Sequence, residues 1–181
     1  MTGVSVRSMS PPAWGLEKGF FMTIKVGDTL PAMKLMVVGP DGPKEMSAET
    51  LFRGKKVVMF AVPGAFTPTC SAKHLPGFLQ QVDAFRAKGV AEVVCLSVND
   101  QFVMAAWANQ AGVDGKILML ADGSGLFTKA MGLELDLVAR GLGMRSQRFA
   151  LVADDMKVTH LAIEAPGDFD VSRAESVLAT L

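Results

Sequence analysis

The sequence predicts one α/β domain built on a mixed central sheet flanked by helices, and three observations carry that prediction. Lys55–Val62 and Val90–Val98 are apolar, β-branched runs without polar alternation, the pattern of strands covered on both faces. Each is followed by a segment with helical start signals, and Ile117–Leu120 then reads as a further strand, giving a β-α-β-α-β run. Near the end, Gln147–Ala153 and Lys157–Glu164 face each other across Asp154-Asp155, an antiparallel hairpin that makes the sheet mixed.

Taken in order, residues 1–21 hold Arg7, several serines and Pro11-Pro12 without the apolar core of a signal peptide, so a flexible extension is expected there. The domain is expected over 22–181. Ile24–Val38 and the turn Gly39-Pro40-Asp41-Gly42-Pro43 suggest two short strands or a hairpin at an edge. Ser47 is placed to cap a short helix over Ala48–Phe52, closed by Gly54. Thr67 and Pro68 then open a long helix reaching Lys88, with Leu75, Phe78, Leu79, Val82 and Phe85 near a three-to-four spacing and Gly89 as its C-terminal stop. Pro76 lies inside that helix. Its missing N–H frees the carbonyl of residue 72, so a kink is expected, with a first turn able to unwind separately. Further on, Gln101–Ala111 and a short stretch around Leu126–Met131 read as helices, and Ser172-Arg173-Ala174-Glu175 reads as a capping box for the last one.

Composition excludes several classes. The 181 residues, 50% hydrophobic, suffice for one substantial core. Eighteen basic and eighteen acidic residues balance, which removes any overall pull toward nucleic acid or anionic lipid. No apolar run approaches the roughly 18 residues that span a bilayer. Two cysteines do not make a disulfide framework and point to an intracellular, cytoplasmic thiol protein.

The chemistry converges on Pro63–Phe78. A strand ends at Pro63-Gly64, and Cys70 falls in the first turn of the helix capped by Thr67, among unpaired backbone N–H groups. The positive end of a helix dipole favours a thiolate over a thiol, so Cys70 reads as a nucleophile. His74, four residues on, shares its helical face and is within reach of a hydrogen bond or ion pair with it; a purely structural role is the competing reading. A zinc site from Cys70, His74, Cys95 and His160 lacks paired ligand spacing, and Gly141-Leu142-Gly143 and Asp122-Gly123-Ser124-Gly125 lack the rest of a phosphate loop.

Pro63, Thr67 and Cys70 match the Pro-x-x-x-Thr-x-x-Cys signature of peroxiredoxins, and the longer string from Gly64 to Phe78 resembles the type II, peroxiredoxin-5-like branch. Supporting strings are Ile24–Asp28, Leu96–Met104 and Arg148-Phe149-Ala150, so the resemblance covers Ile24 to Leu181. It implies a thioredoxin-like fold, no metal or organic cofactor, and a peroxidase in which the Cys70 thiolate takes an oxygen from hydrogen peroxide or an alkyl hydroperoxide, leaving a sulfenic acid. It implies that Pro63 shapes the pocket, that Thr67 caps the helix and bonds thiol or peroxide, and that Arg148 contacts sulfur and substrate, with Arg140 and Arg145 as competitors. Cys95 is a candidate resolving thiol or an inert core residue. Some relatives carry a resolving cysteine near the C-terminus where Ser172 stands here. That departure favours an external reductant, glutathione with glutaredoxin, ahead of thioredoxin, in a bacterial member of the branch. A homodimer is also implied, with Phe66, Phe78 and Phe102 as candidate contacts. A thiol–disulfide oxidoreductase lacks its Cys-x-x-Cys partner, and a redox sensor or holdase acting through Cys70 oxidation is the remaining alternative.

Overall fold

Residues 22–181 are described in a computed structural model; the expected N-terminal extension, 1–21, lies outside the described residues. A hairpin comes first, β1 (Lys34–Gly39) against β2 (Gly42–Ser47), so the turn at 40–41 joins two strands and 22–33 supplies only a bridge from Thr29 to Lys157. Helix α1 (Ala48–Phe52) follows, its Thr50 N–H donating to the Ser47 hydroxyl as expected of a cap. Then come β3 (Lys56–Val62), α2 (Leu75–Ala87), β4 (Glu92–Ser97), α3 (Gln101–Gln110), β5 (Leu118–Ala121) and α4 (Leu126–Ala130). The chain continues through β6 (Glu134–Leu137), β7 (Gly143–Ser146), β8 (Phe149–Asp154), β9 (Lys157–Ile163) and α5 (Ala174–Leu178).

Seven strands form the main sheet in the order β2-β1-β5-β4-β3-β8-β9, while β6 and β7 pair separately. The pairs β3–β4 and β4–β5 are parallel and the rest of the main sheet is antiparallel, which is the expected mixed sheet of a thioredoxin-like fold. Strand side chains alternate between faces. Val58, Phe60, Val62, Val93 and Cys95 therefore pack against α2, α3 and α5, and Val57, Met59, Ala61, Val94 and Leu96 against α1 and α4. Burial of a single large apolar side chain stabilises by roughly 1.5–3 kcal/mol, so β3, with Val57–Val62 fully buried, is a firmly held element under the site.

One register places the chemistry. Ala61 pairs with Phe149 and Phe149 with Ile163, so the C-terminal end of β3, the N-terminal end of β8 and the C-terminal end of β9 lie side by side. The loop after β3, Arg148 and Glu164 consequently meet at one rim, and the Glu164 N–H donates to the Arg148 carbonyl at 2.9 Å.

Three expectations need correction. The segment 134–146, to which the sequence assigns no element beyond an ordinary turn at Gly141-Leu142-Gly143, is the β6–β7 hairpin with a one-turn 3-10 connection at Val138–Arg140. Ser172 is no cap: α5 starts at Ala174, which puts Arg173 in the cap position without a side-chain cap bond, and the Ser172 hydroxyl donates to Glu164 instead. Phe78 is not a surface contact; it is fully buried and stacked between Phe60 and Phe85, at 4.0 and 5.6 Å between ring centroids.

Candidate active site

Beyond Val62 the chain turns sharply. A Cβ on Gly64 would sit 3.1 Å from Thr67 Cγ2, too tight without movement, and Phe66 has φ of +63°, a strained value for a non-glycine residue. This turn is tied down by Asn99, whose Oδ1 accepts from the Ala65 N–H at 3.0 Å and the Ser97 hydroxyl at 2.7 Å. The Thr67 hydroxyl donates to the Gly64 carbonyl at 2.8 Å. Thr67 stands just before the first helical residue, Pro68, and its carbonyl accepts from the Ser71 N–H at 3.0 Å, as expected of the cap position; its hydroxyl makes no bond to a helix N–H, which leaves its lone pairs free.

The helix then widens. Cys70–His74 form a π turn, with the Leu75 N–H reaching back to the Cys70 carbonyl. Pro76 accounts for it: the proline has no N–H for the carbonyl of residue 72 and its ring crowds that oxygen, so the helix passes the obstacle by widening rather than by the sharp kink expected. The first turn is pinned from α3, where the Trp107 indole N–H donates to the Ser71 hydroxyl at 3.0 Å.

Cys70 is fully buried, and Arg148 Nη2 lies 3.4 Å from its sulfur. The adjacent Nη1 is 3.0 Å from His74 Nδ1, so one guanidinium fork spans sulfur and imidazole. His74 therefore bonds Arg148 and not Cys70, the π turn having shifted the four-residue register on which a direct contact depended. The other ring nitrogen, Nε2, faces the Ser172 carbonyl at 3.0 Å. A carbonyl only accepts, so Nε2 carries the proton and Nδ1 offers its lone pair to Arg148. Burial, together with the Arg148 charge, holds His74 down at about 3, which keeps it neutral.

Arg145 is spent elsewhere, donating to the Val98 carbonyl at 3.1 Å and the Leu142 carbonyl at 2.7 Å. Arg140 is exposed on the wall of a cleft of about 490 Å³ that Pro63, Thr69, Arg148 and Glu164 also line. Cys95 is fully buried in β4, on the face that packs with Cys70; burial, reinforced by the Cys70 charge, pushes its thiol well up. Both cysteines are free. Among the described residues no group of three or more His, Cys, Asp and Glu side chains forms a metal site.

Sequence reasoning missed Glu164 and Phe169. The carboxylate closes the far end of the hydrogen-bond chain through Ser172, and the Phe169 ring stands 5.0 Å from the His74 ring and 5.7 Å from the Arg148 guanidinium carbon. The only local signal was an acid at the end of an apolar strand, Leu161-Ala162-Ile163-Glu164.

A thioredoxin-like fold that aims a guanidinium fork at the sulfur of a buried free cysteine defines a thiol-based redox enzyme. Residues 25–178 match the Redoxin family. The chain belongs to the peroxiredoxin family and is a thiol-dependent peroxidase. It is 52% identical to peroxiredoxin-2C of Oryza sativa subsp. japonica, over 87% of this chain and 98% of that protein. It is 48% identical to peroxiredoxin-2B of Arabidopsis thaliana over the same shares. Among solved structures it resembles reduced Prx3 of Vibrio vulnificus in complex with hydrogen peroxide, with a TM-score of 0.82 and 50% identity over 87% of this chain and 99% of that one. Peroxiredoxin 5 of Alvinella pompejana superposes with a TM-score of 0.77 at 36% identity, covering 87% and 97%. Family members rely on cysteine and an external thiol, without a prosthetic cofactor.

Proposed function

We propose that this chain reduces hydrogen peroxide and alkyl hydroperoxides through Cys70, with glutathione and glutaredoxin as the external reductant. The observation that carries the reading is the contact of Arg148 Nη2 with Cys70 Sγ at 3.4 Å. The Cys70 thiolate attacks the terminal peroxide oxygen, which keeps its hydrogen and becomes the sulfenic acid; the S–O bond forms as the O–O bond breaks, and the leaving alkoxide or hydroxide takes a proton from solvent water to become alcohol or water. Arg148 stabilises the charge developing on those oxygens, and a Thr67 lone pair, the hydroxyl hydrogen being committed to Gly64, accepts a hydrogen bond from the peroxide O–H and so orients it. Pro63 walls the cleft beside them. One thiol then condenses with the sulfenic acid, releasing water and leaving a mixed disulfide; a second attacks that disulfide and restores the Cys70 thiolate.

Two features support an outside thiol. Cys95 is buried in a β-strand with its thiol held protonated, and Ser172 stands where a C-terminal resolving cysteine would be needed. The test is steady-state peroxide consumption by wild type, Cys70→Ser and Cys95→Ala, with glutathione plus glutaredoxin against thioredoxin. Expected is a dead Cys70→Ser and a Cys95→Ala close to wild type with glutathione; a dead but folded Cys95→Ala would require an internal disulfide, and an active Cys70→Ser would remove the peroxidase mechanism. A bacterial cytoplasm is the proposed setting and a homodimer the proposed state, with Phe66 (46% exposed) and Phe102 (73% exposed) as its apolar contacts. A monomeric mass in sedimentation equilibrium would sink the dimer.

A further inference from the structure

Glu164 is only 8% exposed, yet no cation pairs with it: the salt bridges among the described residues are Lys34–Glu45 and Arg86–Asp83, both at the surface. A carboxylate in such a place is costly unless hydrogen bonds replace its water. Its Oε1 accepts three, from the Asp170 N–H at 2.7 Å, the Ser172 N–H at 2.8 Å and the Ser172 hydroxyl at 2.8 Å. The loop between β9 and α5 is thus gathered on one oxygen, and Ser172, taking two of the three bonds, is the residue most firmly set by it.

What Ser172 does with that position is turn its carbonyl to His74. The path runs from Glu164 Oε1 through Ser172 to His74 Nε2 at 3.0 Å, from His74 Nδ1 to Arg148 Nη1 at 3.0 Å, and from Arg148 Nη2 to Cys70 Sγ at 3.4 Å. The Ser172 carbonyl can only accept and Arg148 can only donate, so the His74 tautomer between them is fixed from both sides. We propose that Glu164 is a positioning residue of the peroxide site: by fixing Ser172 it orients His74, whose lone pair holds the Arg148 fork on the Cys70 sulfur. Phe169 covers the apolar side of the same path, with the Arg173 guanidinium on it at 5.2 Å, so the fork has few alternative seats. The consequence is that the electrophilic donor of the site depends on a carboxylate that touches neither sulfur nor peroxide.

This inference rests on the peroxidase reading, and the experiment separates the two. The second-order rate of the reduced protein with hydrogen peroxide is measured by stopped-flow fluorescence for wild type, Glu164→Ala, Glu164→Gln, Arg148→Gln and Glu164→Ala with Arg148→Gln. Glu164→Ala is expected to slow the reaction by roughly ten- to a hundredfold, the scale of a displaced catalytic group. Glu164→Gln keeps an amide oxygen for Ser172 and is expected to recover to within about threefold of wild type. In the Arg148→Gln background the alanine should cost less than about twofold, because its effect passes through Arg148. Equal losses in both backgrounds, or a Glu164→Ala rate within about twofold of wild type, would overturn the inference. Should Glu164→Ala fail to fold, Ser172→Ala removes one of the three bonds and is read in the same two backgrounds, with an unchanged rate counting against the proposal. A wild type inert to peroxide sinks the peroxidase reading and this inference with it; a reactive wild type beside an indifferent Glu164→Ala sinks the inference alone.

Discussion

At the scale of single residues, His74 joins the proposed nucleophile's helix to the guanidinium by hydrogen bonds while its ring packs as an aromatic, 4.9 Å from Phe60 and 5.6 Å from Phe78. Replacement by phenylalanine keeps the packing and removes both polar bonds. His74→Phe is therefore expected to slow peroxide reaction by about tenfold or more, through a released Arg148. It leaves the Ser172 carbonyl and Arg148 Nη1 without partners, a cost of about 1–3 kcal/mol each unless water reaches them. Stopped-flow rates and a denaturant titration check the two halves, and a wild-type rate with lowered stability would make His74 purely structural. This scale also shows how far local sequence reaches. Pro63, Thr67, Cys70 and His74 lie within twelve residues and announce themselves by strand end, cap signal and helical spacing, and Arg148 was found by resemblance. Glu164, Phe169 and the true use of Ser172 were hidden, because their partner His74 is 98 positions away from Ser172 and no periodicity joins them.

Among the elements, the π turn at Cys70–His74 is the one the sequence half disclosed. Pro76 signalled an interrupted helix, but whether a helix kinks or widens depends on what its side chains pack against, here the Phe60–Phe78–Phe85 stack below and Trp107 beside it. The β6–β7 hairpin is hidden for the opposite reason: its four-residue strands carry no buried alternating face, and Gly141-Leu142-Gly143 has the look of an ordinary turn. By contrast β3, β4 and β8 were legible, since strands buried on both faces must be continuously apolar. If Pro76 causes the π turn, Pro76→Ala supplies the missing N–H and lets the ordinary four-residue ladder close, rotating Cys70 and His74 away from Arg148. Expected is a variant of equal or greater thermal stability, by about 1 kcal/mol or more, that reacts severalfold more slowly with peroxide. A variant unchanged in rate would mean that packing, and not the proline, dictates the widened turn.

For the molecule as a whole, the site and the stability of the fold share titrating groups. The rim where β3, β8 and β9 end holds a histidine kept neutral and a carboxylate kept charged. His74 titrates at about 3 when folded against an ordinary 6.5, so between these values the unfolded chain binds a proton that the folded one refuses. Stability therefore rises with pH across that window, by about 1.4 kcal/mol per pH unit where the difference is one full proton, and falls on acidification. Glu164 acts in the same sense. Burial pushes its carboxyl up, but the Ser172, Asp170 and Val171 N–H groups and the Ser172 hydroxyl outweigh that and hold it below its ordinary value, so its contribution too is present above the unfolded value and lost as pH falls. His160, lowered by partial burial on β9, adds a smaller slope of the same sign. Unfolding free energy measured by urea between pH 3.5 and 7.5 should rise steeply for wild type. In His74→Phe the Glu164 and His160 slopes remain and the His74 slope disappears, so its curve should be flatter by close to one proton between pH 4 and 6, although the variant is less stable at neutral pH. Parallel curves would mean that His74 accepts a proton inside the fold, and that the neutral imidazole holding Arg148 is the wrong description of the site.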